Sequence, residues 1–119
     1  MMLCLPALAA LALIAPAAVR AEPPPQADGP VLVQLSLKDH RFSPETVTVP
    51  ANRPIRIELA NHDPASEEFD SEDLRVEKDI TPHGKISFLV GPLKPGAYSF
   101  MGELHADTAS GEIVAKPAD

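Results

Sequence analysis

The sequence predicts an all-β fold, an antiparallel two-sheet sandwich, and three observations carry that prediction. Apolar and polar residues alternate with a period of two in several separate stretches, the pattern of a half-buried strand. Proline and glycine punctuate those stretches, with 14 Pro and 6 Gly in 119 residues. No window of a dozen residues shows the 3.6-residue stripe of an amphipathic helix. About seven or eight short strands closely spaced between turn signals describe a sandwich rather than an open sheet.

The first 21 residues stand apart from that pattern. Leu3 to Val19 is an almost unbroken run of Leu and Ala, interrupted by Pro6 and Pro16, and it closes on Val19-Arg20-Ala21, which satisfies the small-residue rule of a signal peptidase site. Residues 1–21 are therefore expected to be a signal peptide, although no Lys or Arg precedes the apolar run. A retained anchor is disfavoured because 17 residues with two prolines fall short of the roughly twenty needed to span a bilayer. Cys4 is the sole cysteine and would leave with the signal. The exported chain would then be held without disulfides, and its length suits one small domain.

The remaining elements follow in order. Glu22 to Pro30 holds three consecutive prolines and reads as an extended linker. From residue 31 to 117 the strand patterns begin: Val31, Val33, Leu35 and Leu37 alternate with polar residues, and Lys38-Asp-His-Arg-Phe-Ser-Pro44 makes a turn-rich corner. Glu45 to Val49 is a β-branched run stopped by Pro50. Ile55, Ile57 and Leu59 alternate up to Asn61. His62 to Ser66 is a polar loop, Glu67 to Asp70 a short strand, and Ser71 to Arg75 a turn or a single helical turn. Val76 to Ile80 is extended, and Glu77-Lys78 in it suggests an ion pair across the sheet. Thr81-Pro-His-Gly84 is a tight turn before Ile86, Phe88 and Val90. After Gly91 to Gly96, Tyr98 and Phe100 enter a strand, and Glu112 to Ala115 closes the fold. Phe42, Phe69, Phe88, Tyr98 and Phe100 are the expected large anchors of the core.

Cleavage after Ala21 leaves nine basic against seventeen acidic residues, a formal charge of about −8. That balance argues against nucleic acid or anionic lipid as a partner, and no membrane insertion is expected once the signal is removed. Neither a nucleophile elbow nor a comparable nucleophile context occurs, so hydrolase chemistry has no support and the chain is not expected to be an enzyme. His40, His62 and His83 lie in turns and are expected to be surface residues.

Phe42-Ser-Pro44, Val49-Pro50, the strand ending at Asn61, and Leu93-Lys-Pro-Gly-Ala-Tyr-Ser-Phe100 followed by His105 and Gly111-Glu-Ile-Val114 together resemble the cupredoxins. The resemblance implies Greek-key connections for the sandwich. Within them, Glu67-Glu-Phe69, Glu77-Lys78, Gly102-Glu-Leu-His105 and Thr108-Ala-Ser-Gly111 are similar to the cupredoxin-like domain of EfeO-type periplasmic iron-uptake proteins. Against a blue-copper protein, the resemblance places the first histidine ligand at Glu67, the cysteine at Gly102, the second histidine at His105 and the axial methionine near Ser110. Only one of those four positions keeps its ligand, so the resemblance does not imply a blue-copper electron carrier.

The groups that remain are oxygen-rich. Glu67, Glu103 and His105, with Met101 or Glu68 as further donors, are the candidate ligands for one divalent ion, copper or iron; a carboxylate and imidazole set suits a borderline ion and a thioether favours copper. If the strand continues past Phe100, Met101, Glu103 and His105 share one face, opposite in parity to the inward Tyr98 and Phe100. The expected function is an exported metal-ion-binding protein, periplasmic or secreted, in iron or copper handling beside a membrane permease. The alternatives are a metal-free interaction module of cupredoxin shape and a metal-dependent redox enzyme.

Overall fold

Strand β1 (Val31–Lys38) turns Val33, Leu35 and Leu37 into the interior and Leu32, Gln34 and Ser36 away from it, as its alternation predicts. The structure is a computed structural model and describes residues 29–117. The expected signal peptide, the linker as far as Asp28, and Cys4 lie outside the described residues.

The chain turns at Asp39 and His40, both with left-handed backbone (φ 51° and 57°), into β2 (Arg41–Ser43), which pairs antiparallel with β1. Sequence reading leaves β2 as part of a corner, because three residues are too few to display alternation. Strand β3 (Thr46–Pro50) then crosses to the second sheet, and β4 (Ile55–Asn61) returns beside β1, running parallel to it from Val31↔Ile55 to Leu37↔Asn61. Next come β5 (Glu67–Ser71), β6 (Val76–Ile80), β7 (Lys85–Val90), β8 (Gly96–Gly102) and β9 (Ser110–Lys116). One sheet has the order β2-β1-β4-β7 and the other β3-β9-β8-β5-β6. Both sheets are mixed: β1/β4 and β3/β9 run parallel, the other pairs antiparallel. Each parallel pair arises because the intervening strands belong partly to the opposite sheet.

Between the sheets the aliphatic faces of β1, β4 and β7 meet a cluster of four phenylalanines. Phe69 is fully buried and packs on Phe100 at 5.1 Å in a stacked pair and on Phe88 at 5.2 Å; Phe42 meets Phe100 edge-on at 5.1 Å. Such offset and edge contacts suit the ring quadrupoles. Tyr98, expected among these anchors, is only half-buried; its hydroxyl donates to the Lys94 carbonyl at 2.7 Å, which keeps the ring at the rim. At the edge strand β6, Glu77, Lys78 and Asp79 are exposed, a row of charge that discourages pairing with another chain.

Candidate metal centre

Glu67 opens β5 on the same face as Phe69 and Ser71, so strand alternation carries a carboxylate into the interior, where it is 2% exposed. A buried carboxylate needs hydrogen-bond donors, and three converge on it. Its Oε1 accepts the amides of Glu68 at 2.9 Å and Leu104 at 2.8 Å, and the Nδ1–H of His105 donates to Oε2 at 2.6 Å. This buried carboxylate would be hard to hold if residue 102 had a side chain. A Cβ on Gly102 would stand 2.6 Å from the Glu67 carboxyl carbon and 2.9 Å from the Ala109 methyl.

His105 reaches Glu67 because β8 does not continue. The strand stops at Gly102, and Glu103–His105 forms a 3₁₀ turn whose last carbonyl accepts the amides of Thr108 at 3.1 Å and Ala109 at 2.9 Å. The extended segment expected to align Met101, Glu103 and His105 is therefore corrected: the turn rotates successive residues by about a third of a revolution rather than a half. Met101 stays on the outer face of β8 and is 42% exposed. Glu103 points to a different group, in which its carboxylate, that of Glu68 and that of Glu77 offer oxygens within 4.8 Å of one another. Glu67 and His105 are thus brought together, and Glu103 and Met101 are not brought to them.

His40 completes the first group. Its imidazole lies 3.7 Å above that of His105, nearly parallel at 14°, and His40, Glu67 and His105 offer donor atoms within 4.8 Å of one another. The left-handed corner that lifts it there is held by Asp63, 5% exposed, whose Oδ1 accepts the Asp39 amide at 2.7 Å and whose Oδ2 accepts the His40 amide at 3.0 Å. Burial by itself would raise the Asp63 carboxyl, but the two amides and the nearby imidazoles bring it below its ordinary value. Nothing in the sequence around His40 signals this role. The only hint is that Asp39 and His40 are residue types that tolerate left-handed backbone better than most.

The ion pair across the sheet expected at Glu77-Lys78 does not form at Glu77, whose carboxylate lies beside that of Glu68 instead. The Glu68 carboxyl is pushed up to about 7 by the hydrogen bond it shares with Glu77, then by burial and by the Glu103 charge. A carboxyl raised in the folded state stabilises the fold fully below its unfolded value of 4.5, and that contribution is lost as pH rises through about 7. Asp63 has the opposite sign: its contribution stands above 3.8 and is lost as pH falls through its lowered value. Thermal melts between pH 4.5 and 8 should therefore show Glu68→Gln gaining on the parent protein as pH rises, with most of the change before pH 8. A gap that stays constant over that range would refute the shared proton.

The donor set at the first group fits a metal chemically. One carboxylate and two imidazoles suit a borderline divalent ion. Two ligands of one tetrahedral ion lie about 3.4 Å apart when each is about 2.1 Å from it, so the 2.6 Å contact between Glu67 and His105 must open to admit one.

Comparison with known proteins bears on the family and the fold. Residues 4–115 match the cupredoxin-like domain family. The chain belongs to that family. It is also similar to an uncharacterized protein of Rickettsia prowazekii (strain Madrid E), 45% identical over 82 residues, which are 69% of this chain and 66% of that one. Among solved structures it resembles the metal-binding domain of the Cu(I)-exporting P-type ATPase CopA of Streptococcus pneumoniae (TM-score 0.67, 13% identity, 77% of this chain and 91% of that one). It also resembles auracyanin A, a blue copper protein of Chloroflexus aurantiacus (TM-score 0.64, 13% identity, 74% of this chain and all of that one). At these identities the structural likeness establishes the fold. In this cupredoxin-like protein Gly102 and His105 both lie against the Glu67 carboxylate, and no cysteine occurs among the described residues.

Proposed function

We propose that this cupredoxin-like protein is an exported metal-ion-binding protein of the cell envelope that takes one divalent ion, copper or iron, at Glu67 and His105 with His40 as a third donor. The observation that carries the reading is the buried Glu67 carboxylate set 2.6 Å from His105 Nδ1 beneath a second imidazole. An ion there would replace the proton between Glu67 and His105 and gain the imidazole of His40 once that ring turns. With Gly102 in place of a thiolate, the site is a carrier of ions rather than of electrons. The Leu- and Ala-rich leader supports export to the periplasm or outside the cell, and the resemblance to EfeO-type proteins supports service to a membrane iron or copper permease.

Calorimetric titration with Cu(II) and with Fe(II) tests this. One saturable site is expected, weakened at least ten-fold by His105→Ala and by Glu67→Gln and unchanged by Glu103→Ala, with no intense visible charge-transfer band on adding Cu(II). Absence of saturable binding would end the reading. A metal-free interaction module is the second reading, and one observation favours it: the Glu67 carboxylate is already satisfied by three donors.

A further inference from the structure

We propose that Asp63 is the positioning residue of this site, acting through the backbone of His40 to hold its imidazole over His105. The inference rests on the metal-binding reading for its purpose but on hydrogen-bond geometry for its substance. Two consecutive non-glycine residues in the left-handed region are costly, and Asp39 and His40 adopt it at φ 51° and 57°. The buried Asp63 carboxylate compensates by accepting both of their amides, one on each oxygen. Asp63 is fixed in turn, since its own amide donates to Asn61 Oδ1 at 3.0 Å and the Asn61 Nδ2 is anchored on the Ala65 and Thr81 carbonyls. The other side of the His40 residue is fixed as well: the Thr108 hydroxyl donates to its carbonyl at 2.6 Å. His40 is therefore pinned at amide and carbonyl by two different loops, one before β5 and the other the loop that carries His105.

This clamp determines how an ion can be captured. Imidazole binds metal in the ring plane, along the nitrogen lone pair. With the rings parallel and 3.7 Å apart, an ion on one lone pair at about 2.0–2.1 Å lies a full stacking distance from the plane of the other ring. Both rings cannot serve one ion until one of them turns. Because Asp63 and Thr108 hold the His40 backbone, the turn is a rotation of the side chain about its own bonds while the loop stays in place. Asp63 thus keeps the third donor within reach at little cost in ordering, as outer residues of metal sites commonly do, with losses of 10–100-fold when they are removed.

The test uses the full chain with two readouts. Without metal, NMR of the ring protons should show the mutual ring-current shift of His40 and His105 in the parent protein and its loss in Asp63→Ala. With Cu(II), electron paramagnetic resonance should count two imidazole nitrogens in the parent protein and one in Asp63→Ala, with affinity reduced ten-fold or more. Adding Asp63→Ala to His40→Ala should lower affinity no further, because the effect of Asp63 passes through His40. If Asp63→Ala does not fold, Asp63→Asn retains the volume and one acceptor, and an intermediate loss of the ring-current shift is expected. An intact stack in either folded variant overturns the inference whatever the metal does. Loss of the stack in a chain that binds no Cu(II) upholds Asp63 as the positioning residue and overturns the metal reading alone.

Discussion

Glu67→Ala is expected to lower the stability of the protein by about 3 kcal/mol, since it removes the acceptor of three hydrogen bonds that each contribute roughly 1 kcal/mol. The loss has two sources. The amides of Glu68 and Leu104 lose their acceptor, and a buried unpaired donor costs about 1–3 kcal/mol. The 3₁₀ turn also loses the contact that draws His105 inward. For a small domain with about 5–15 kcal/mol in total, such a change is easily read as a shift in the urea midpoint. Glu67→Gln should cost clearly less, because its carbonyl oxygen still accepts both amides and its NH₂ meets His105 in the other tautomer. Equal losses for Ala and Gln would show that packing, not hydrogen bonding, makes Glu67 important to the fold. On metal binding the two variants should be alike, since neither offers a carboxylate. Stability and affinity therefore separate the structural role of this residue from its role as a ligand.

The second large effect is expected at Gly102. Gly102→Cys places a Cβ within 2.6 Å of the Glu67 carboxyl carbon, against atoms that are themselves buried. Overpacking of this kind typically costs about 1–3 kcal/mol, and here it also disturbs the three donors on Glu67. The variant is expected to be destabilised and to remain without an intense thiolate band when Cu(II) is added, because the carboxylate occupies the volume the sulfur needs. Combining it with Glu67→Ala should be less damaging than the two single losses added together, since each change makes room for the other. Chemical denaturation of the four proteins in the cycle measures this coupling. Simple additivity would mean that residues 67 and 102 do not share one space.

Much of the fold could be read from the chain because strand alternation is a local signal. Val31 to Leu37, Ile55 to Leu59 and Ile86 to Val90 announce themselves residue by residue. The parallel pairing of β1 with β4 was not legible, since alternation reveals which face is buried but not which strand lies alongside. At the site, Glu67 and His105 stood out through the family resemblance. Glu103 and Met101 join them only if β8 runs on, and a 3₁₀ turn of three residues is too short to show a period in sequence. His40 and Asp63 are hidden for a different reason: they meet across 23 residues, through a backbone amide and with the His40 ring Nδ1 3.6 Å from the same carboxylate, and no local pattern records that contact.

The parallel pair β3/β9 has a consequence for the order in which the molecule assembles. β9, residues 110–116, lies between β3 and β8, so the second sheet is divided until the last strand is in place. Contacts spanning more than sixty residues, such as Thr46 with Glu112, are of the long-range kind that form late and slowly. Until residues 110–116 are available, β3 has no partner in its own sheet and the sandwich is unfinished. A sandwich whose second sheet is joined by its last described strand closes late, since pairing across so many residues must wait for loop closure.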